Sequence, residues 1–374
     1  MWRRLHRWIG LGIAIALVPI AFTGSLLVWR DHVDALVSPH LFAISGAELR
    51  QPLTQYLANA AAAAGSQYAP TAIRFPQSDG WPVRVILRKI DLSDRDDLER
   101  EHVAYLDPPT GRMLGKNNPR TSFTGTIRRL HRDLLVPAWA GRQIVGWIGV
   151  GLVVLTLTGV WLWWPRGRFV NGLRWQRSTR TSLNLHYSGG FWIALPLAVV
   201  AITGVYLAFP QTARSVTAAF AEYGPRDARA DRNKRVDASL SADQAANVLR
   251  EKQPGLRLIS LQLPLQYRGE KKESAPQILW HLYALDRNGD GQSLLLNDRT
   301  AELTAVPPLR GGNRVARVVH HLHEGDGFGT IWSAIVFATG MLPVLLAVTG
   351  LLMWLRGRKT RASRMERVGA GGGT

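Results

Sequence analysis

Four long stretches of the sequence contain no Asp, Glu, Lys or Arg, and they constrain the fold more than any other feature. They span residues 9–29, 143–165, 181–213 and 327–355. A helix of about 20 apolar residues crosses the hydrocarbon core of a bilayer, which is roughly 30 Å thick. Each stretch is long enough, so the sequence predicts an α-helical membrane protein with four transmembrane helices surrounded by lipid.

The rest of the sequence consists of two longer polar segments and two short basic ones. In each longer segment a helical pattern is followed by strand-like runs, which predicts two α+β modules and an internally duplicated arrangement. The turn Asp107-Pro108-Pro109-Thr110-Gly111 joins two strands of the first module. The predicted layout is transmembrane helices at 1–30, 142–165, 182–210 and 327–356, modules at 31–141 (including a helix that carries His131) and 211–326, a basic loop at 166–181 and a basic tail at 357–374.

The net charge of +19 is concentrated in arginines that flank the apolar stretches. Lys and Arg are enriched on the cytoplasmic side of membrane helices. Both termini and the loop 166–181 are therefore predicted to be cytoplasmic, and the two modules to be periplasmic, in a bacterial inner membrane. Because the charge follows the membrane boundaries, it does not indicate a nucleic-acid partner. The absence of cysteine excludes disulfides, thiolate-bound clusters and covalently attached haem.

A histidine and a Thr-Gly pair recur with every apolar stretch. The separations from the histidine to the threonine are 17, 17, 27 and 26 residues. The four sets are His6 with Thr23-Gly24, His186 with Thr203-Gly204, His131 with Thr158-Gly159, and His323 with Thr349-Gly350. Chance is a poor account of four histidines in matching registers. The small residues favour close helix packing, and they also leave room for a flat macrocycle between helices.

The four histidines are candidate ligands of two haem groups. Two imidazoles fill both axial positions of a haem iron, which suits electron transfer. The predicted topology places His6 and His186 at the cytoplasmic side. His131 lies at the periplasmic side with a histidine of the fourth helix, either His323, which shares the Leu-His motif, or one of its neighbours His320 and His321. The sequence therefore predicts two b-type haems, one at each side of the bilayer. His32, which has no counterpart after the third helix, stays open as a further candidate.

These motifs resemble the PepSY-associated transmembrane helix family. The resemblance is carried by Leu5-His6-Arg7 with Thr23-Gly24, by Leu130-His131-Arg132 with Thr158-Gly159, and by Leu322-His323-Glu324-Gly325 with Thr349-Gly350. Residues 107–111 resemble the D-P-x-T-G hairpin of PepSY modules, whereas residues 297–301, Asn-Asp-Arg-Thr-Ala, depart from it. The four-helix arrangement is similar to that of FoxB-type ferric-siderophore reductases. The resemblance implies two b-type haems held by the helix-start histidines, and reduction of a ferric siderophore in the periplasm.

The expected function is therefore that of a di-haem oxidoreductase of the inner membrane. Electrons would come from a quinol or from a cytoplasmic reductase, and a ferric siderophore would accept them. No Rossmann or P-loop motif indicates a nucleotide. Two other readings stay open: a haem-free protein whose modules regulate a peptidase or sensor, and a siderophore permease. The spans lack the buried charges that commonly line a transport path, which disfavours the permease.

Overall fold

The structure is a computed structural model that describes residues 1–76, 80–90, 98–164, 179–223, 236–267 and 277–370. The chain divides into two compact units. The first unit comprises Met1–Arg30, Thr126–Tyr223 and Arg310–Thr374, and the second comprises Asp31–Gly125 and Gly224–Leu309. Most of the predicted basic loop 166–181 lies outside the described residues, as do residues 371–374 of the predicted tail.

The secondary-structure elements are named in chain order. The helices are α1 (Trp2–Val28), α2 (Arg30–Val37), α3 (Leu53–Ala64), α4 (Phe123–Asp133), α5 (Ala138–Trp163), α6 (Thr181–Ala208), α7 (Pro210–Ala218), α8 (Ala242–Lys252), α9 (Gly311–Glu324) and α10 (Gly329–Ala370), with a short 3-10 helix at Pro39–Phe42. The strands are β1 (Tyr68–Arg74), β2 (Val83–Lys89), β3 (Glu101–Leu106), β4 (Met113–Asn117), β5 (Arg257–Tyr267), β6 (Gln277–Leu285), β7 (Gly291–Asn297) and β8 (Leu303–Ala305).

Among the described residues, four helices are long and apolar enough to cross a membrane, which confirms the four predicted spans. They are Trp2–Val28, Trp139–Trp163, Thr181–Ala208 and Gly329–Arg358. Large apolar side chains on these helices are exposed, such as Ile15, Leu195 and Ile331. In water such surfaces would be costly, whereas in a bilayer they contact lipid. The chain is therefore a membrane protein.

Two of these helices extend beyond the limits that charge alone predicts. Helix α5 begins at Ala138, although Arg142 lies in its first turns. This arginine is accommodated because its guanidinium donates to the carbonyl of Leu207 at 2.5 Å, near the carbonyl end of α6. Helix α10 continues to Ala370, so the predicted basic tail is largely helical.

The four membrane helices form a ring in which each one packs against two others. Helix α1 contacts α10 and α5, and α6 contacts the same two helices. Small residues lie at these contacts, as expected inside a membrane. Ser25 of α1 donates to the carbonyl of Phe337 in α10 at 2.8 Å, and Gly340 lies beside the same hydroxyl. Gly149 of α5 faces Val205 of α6.

Two short helices, α4 and α9, precede the second and fourth membrane helices. After α4 the chain turns through Leu134 and Leu135, both in the left-handed conformation. After α9 it turns at Gly325, whose N–H donates to the carbonyl of His321 and whose φ is 80°. Left-handed glycine is a common way to end a helix. These turns separate α4 and α9 from the membrane helices that follow, so each carries its histidine on an element of its own.

The second unit contains one continuous antiparallel sheet of eight strands, in the order β4-β3-β2-β1-β5-β6-β7-β8. The two predicted α+β segments therefore share one sheet rather than forming two separate ones. They meet at the β1–β5 pair, where Ile73 lies opposite Leu261. Both residues are fully buried, and α3 and α8 pack on the same hydrophobic core. Pairing across this junction buries two strand edges that would otherwise be exposed.

The turns at 107–111 and 297–301 have the same backbone form although their sequences differ. The N–H of Gly111 donates to the carbonyl of Asp107, and the N–H of Ala301 donates to that of Asn297. Both residues at the end of the turn are left-handed, with φ of 67° for Gly111 and 52° for Ala301. The departure of the second segment from the D-P-x-T-G pattern therefore leaves its turn intact.

Candidate functional site

The histidines at the starts of the helices come together as two facing pairs in the first unit. The rings of His6 and His186 have their centres 6.3 Å apart and their planes at 90°. The rings of His131 and His323 have their centres 6.1 Å apart and their planes at 41°. Each pair takes one imidazole from residues 1–164 and one from residues 179–370.

Each imidazole is oriented by the Thr-Gly region of another helix. Nδ1 of His6 lies 2.9 Å from the hydroxyl of Thr158, and Nδ1 of His186 lies 3.0 Å from the hydroxyl of Thr349. Thr158 donates its own proton to the carbonyl of Val154, and Thr349 donates to that of Leu345. Both hydroxyls therefore accept from the histidine. Nδ1 carries the proton, and Nε2 is left with its lone pair.

The second pair is oriented mainly by backbone carbonyls. Nδ1 of His131 lies 2.8 Å from the carbonyl oxygen of Ile20, three residues before Thr23. Nδ1 of His323 lies 3.0 Å from the carbonyl oxygen of Val200 and 3.2 Å from the hydroxyl of Thr203. A carbonyl can only accept, so Nδ1 is again the protonated nitrogen. Histidines that bind metals commonly donate their second ring nitrogen in this way.

The glycine of each Thr-Gly pair gives the ring the space it needs. A Cβ atom at Gly24 would lie 2.7 Å from Cε1 of His131, and one at Gly204 would lie 2.9 Å from Cε1 of His323. The corresponding distances are 3.3 Å from Gly159 to His6 and 3.5 Å from Gly350 to His186. Gly24 and Gly204, which contact the second pair, are therefore sterically required. The distances at Gly159 and Gly350, which contact the first pair, are closer to an ordinary van der Waals contact.

These contacts are exchanged reciprocally between helices. The Thr-Gly pair of α1 receives His131, which precedes α5, and the Thr-Gly pair of α5 receives His6 of α1. Helices α6 and α10 exchange His186 and His323 in the same way. Every orienting contact therefore stays within one half of the chain, 1–164 or 179–370, whereas each facing pair joins the two halves.

The ring separations fit two imidazoles bound to one metal ion. An imidazole nitrogen binds a first-row metal at about 2.0 Å and lies about 1.1 Å from its ring centre, so two ligands on opposite sides have centres roughly 6.2 Å apart. Both pairs match this value. In the part of the chain that the structure describes, no cluster of three or more His, Asp or Glu side chains could hold a metal ion. A donor set of two facing imidazoles would fit the two axial positions of a haem iron, whose four other ligands would come from the macrocycle.

Burial keeps the two imidazoles of the second pair in the neutral form. Burial lowers the pKa of His131. Burial and, secondarily, the neighbouring His131 lower the pKa of His323 to about 4. Both imidazoles are neutral at physiological pH, and their Nε2 lone pairs are available to a metal.

The other candidate histidines lie elsewhere. Nε2 of His320 lies 3.3 Å from Glu324, and Nδ1 of His321 lies 2.7 Å from Asp326. Of the three neighbours on α9, the structure thus brings only His323 to His131. His32 belongs to the second unit, where its ring lies 5.4 Å from that of Trp81.

Sequence reasoning did not identify the Thr-Gly pairs as partners of the histidines. It related each histidine to the Thr-Gly pair of the helix that follows it, because that spacing repeats along the chain. The contact itself lies between helices. The signal that could have found it is the presence of a Thr-Gly pair in every span, at the end opposite to the histidine that introduces it.

The sequence profile of the PepSY-associated TM region matches residues 3–357, which is nearly the whole chain. No curated protein matches the sequence significantly.

Proposed function

Because the chain belongs to the PepSY-associated TM region family, whose members are membrane proteins, we propose that it is a di-haem oxidoreductase that carries electrons across a membrane. His6 and His186 would be the axial ligands of one b-type haem, and His131 and His323 those of the other. The observation that carries the proposal is the separation of the ring centres, 6.3 Å and 6.1 Å. A bound haem supplies one-electron chemistry by cycling between Fe(III) and Fe(II).

The protein's own groups determine what such a haem does. Two imidazoles would occupy both axial positions, which would leave no site for oxygen or substrate on the iron and would favour electron transfer. Threonine hydroxyls and backbone carbonyls hold Nδ1–H, fix the tautomer and limit rotation of the rings. A rigid, fully coordinated site changes little between oxidation states.

The distance between the two pairs supports transfer across the membrane. Gly24, which contacts His131, follows His6 by 18 residues of α1. At about 1.5 Å per residue the rise is roughly 27 Å. This is close to the roughly 30 Å of a hydrocarbon core, so each pair would lie near one face of the bilayer.

The distribution of arginine supports an orientation of the protein in the membrane, and this orientation sets the direction of electron transfer. Arginines lie in the first turns of α1 and at and beyond the end of the membrane span of α10, which favours a cytoplasmic location for both ends. The haem that His6 and His186 would hold would then receive electrons from a quinol or a cytoplasmic reductase in the inner membrane. His131 and His323 would lie at the periplasmic side.

The acceptor that we propose is a ferric siderophore in the periplasm. One electron would reduce Fe(III) in the chelate to Fe(II), and the haem held by His131 and His323 at the periplasmic side would supply it. Hard oxygen donors hold Fe(III) much more tightly than Fe(II), so reduction releases the metal. Outer-sphere transfer requires only that the chelate approaches the haem edge.

The test is the absorption spectrum of the detergent-purified full chain before and after dithionite, with a pyridine haemochrome count. We expect two b-type haems per chain, and about one in His6→Ala and in His131→Ala. His320→Ala is the matched control on α9 and should retain two. A colourless protein after haem-replete expression would exclude the reductase and favour a regulatory or transport role.

The acceptor is tested separately in proteoliposomes that contain a trapped reductant. Addition of a ferric siderophore outside, with an Fe(II)-specific dye, should give colour at a rate that both His6→Ala and His131→Ala abolish. A haem-loaded protein that reduces none of a catecholate, a hydroxamate and a carboxylate chelate would contradict the proposed substrate class.

A further inference from the structure

Arg7, the residue after His6, is a partly buried cation with no counter-ion among the residues that the structure describes. Its Nε is buried and has no hydrogen-bond partner among the described residues. The guanidinium carbon lies 5.5 Å from the ring centre of Trp8, a contact that does not satisfy an N–H donor. A buried donor without an acceptor costs about 1–3 kcal/mol. The unpaired Nε–H of Arg7 therefore suggests a hydrogen-bond acceptor that is not part of the polypeptide.

Arg7 lies on the side of α1 that faces α10. Ser25 follows Arg7 by 18 residues, which is about five turns of a helix, so the two share one face. Ser25 is 1% exposed and donates to the carbonyl of Phe337 in α10. The same α10 holds His186 through Thr349. Arg7 and the facing pair His6–His186 are therefore at the same end of the bundle and on its inner side.

The neighbouring polypeptide offers no carboxylate to this arginine. The stretches 1–30, 134–221 and 327–365 contain no Asp or Glu. The contrast is Arg132, which follows His131 as Arg7 follows His6. Arg132 is paired with the carboxylate of Asp133 at 2.8 Å. The two arginines occupy the same position relative to a candidate ligand, and within the described parts of the chain a counter-ion is present for Arg132 and not for Arg7.

We propose that Arg7 binds a propionate carboxylate of the haem held by His6 and His186. The inference rests on the proposed function and adds a binding residue to it. Each b-type haem carries two propionates, and guanidinium matches a carboxylate with two parallel charge-assisted hydrogen bonds. In a site shielded from water this attraction is stronger than at the surface. Arg7 is thus a positioning residue that fixes the macrocycle's rotation and places a positive charge beside it.

The charge has a measurable consequence. A cation near the haem disfavours Fe(III), which carries more positive charge than Fe(II), and so raises the midpoint potential. Removing Arg7 should lower the potential of one haem and leave the other unchanged, because the second pair is roughly a membrane thickness away.

The experiment is a redox titration, followed optically, of Arg7→Gln, Arg7→Lys and wild type, each purified as the full chain. We expect Arg7→Gln either to lower one of the two midpoint potentials or to reduce the haem content from two to about one per chain. Arg7→Lys should restore the content and most of the potential. Arg4→Gln, at an exposed neighbouring position, and Glu366→Gln, at the first acidic residue after 327–365, should match wild type.

The outcomes separate this inference from the proposed function. A wild-type protein without haem would sink the proposed function. Two haems in Arg7→Gln with both potentials unchanged would overturn the role of Arg7 and leave the di-haem protein standing. The alternative partner of Arg7 is a lipid phosphate. In that case, adding anionic phospholipid to delipidated wild type would shift the midpoint potential as much as Arg7→Gln does, and the same addition to Arg7→Gln would cause no shift. That result would show the inference to be wrong.

Discussion

Gly24 and His131 are in contact across two helices: a Cβ atom on Gly24 would lie 2.7 Å from Cε1 of the imidazole. Gly24→Ala should therefore displace the ring and cost about 1–3 kcal/mol of stability by overpacking. We expect the haem content of the purified protein to fall from two to about one per chain. Gly12→Ala on the same helix is the control, since nothing lies within 4 Å of its Cβ position. A Gly24→Ala protein with two haems would contradict the close contact.

The different ring angles predict two distinguishable ferric haems. The imidazole planes are at 90° in the His6–His186 pair and at 41° in the His131–His323 pair. Perpendicular ligands leave two iron d orbitals nearly equal in energy, which gives a strongly anisotropic low-spin signal in electron paramagnetic resonance. More nearly parallel ligands give an ordinary rhombic signal. We expect one of each, with His131→Ala removing the rhombic one. Two identical signals would show that the angles do not persist in the loaded protein.

The threonines of α1 and α6 form a matched pair for testing the hydrogen bond to the ligand. The hydroxyl of Thr203 lies 3.2 Å from Nδ1 of His323, whereas that of Thr23 bonds only backbone carbonyls of its own helix. Accepting from Nδ1–H makes an imidazole a stronger donor to Fe(III). Thr203→Val should raise one midpoint potential by an amount that corresponds to about 1 kcal/mol, or roughly 40 mV for one electron. Thr23→Val should leave the potentials unchanged.

The sheet has an acid-sensitive carboxylate at Asp298. It accepts from the N–H groups of Ser239 and Leu240 and from the indole of Trp280. Burial alone would raise the pKa of Asp298, but these hydrogen bonds outweigh burial and lower it. Its stabilising contribution is then present above the ordinary pKa of about 4 and is lost as the pH falls through the lower folded-state value.

Asp298→Asn should consequently cost about 1–3 kcal/mol at neutral pH and flatten the loss of stability in acid. Denaturant unfolding of the full chain between pH 7 and pH 3 measures both effects. Asp290→Asn, at an exposed position in the β6–β7 turn, is the control. Equal pH profiles for Asp298→Asn and wild type would contradict this role.

The left-handed residue in the second turn of the sheet offers a stabilising change. Ala301 has a φ of 52°, where a Cβ costs roughly 1–2 kcal/mol. Ala301→Gly should raise the free energy of unfolding by about 1 kcal/mol, partly offset by the greater freedom of glycine in the unfolded chain. Gly111→Ala makes the reverse change in the first turn and should destabilise the protein. Thermal unfolding of both variants decides the point.

The membrane spans could be predicted, and the four principal histidines could be singled out as candidates, because both signals are local. An apolar run of sufficient length has few alternatives to a membrane helix, and a repeated histidine is visible in the sequence without knowledge of packing. The sequence did not determine which of His320, His321 and His323 faces His131. These residues differ by less than one helical turn, and which one faces His131 depends on the angle that the Gly325 turn imposes on α9.

Two features depend on contacts between distant parts of the chain. The exchange of histidines between α1 and α5 follows from how the helices are arranged in the ring, which no single helix encodes. The junction of β1 with β5 likewise joins strands that are far apart in sequence. Both segments carry a strand edge, and the sequence contains no local signal for which edge meets which.

The reciprocal exchange of histidines has a consequence for assembly. The hydrogen bonds described above that orient His6 and His131 lie within residues 1–164, and those that orient His186 and His323 lie within residues 179–370. Neither part alone would supply both ligands of a proposed haem. If the two parts were produced as separate polypeptides, each should insert into the membrane with its imidazoles already oriented. Each proposed haem would then be coordinated by one histidine from each polypeptide and would hold the two together. Recovery of the haem spectrum on mixing would then measure the joining of the halves, and the order of events would be insertion first and cofactor capture last.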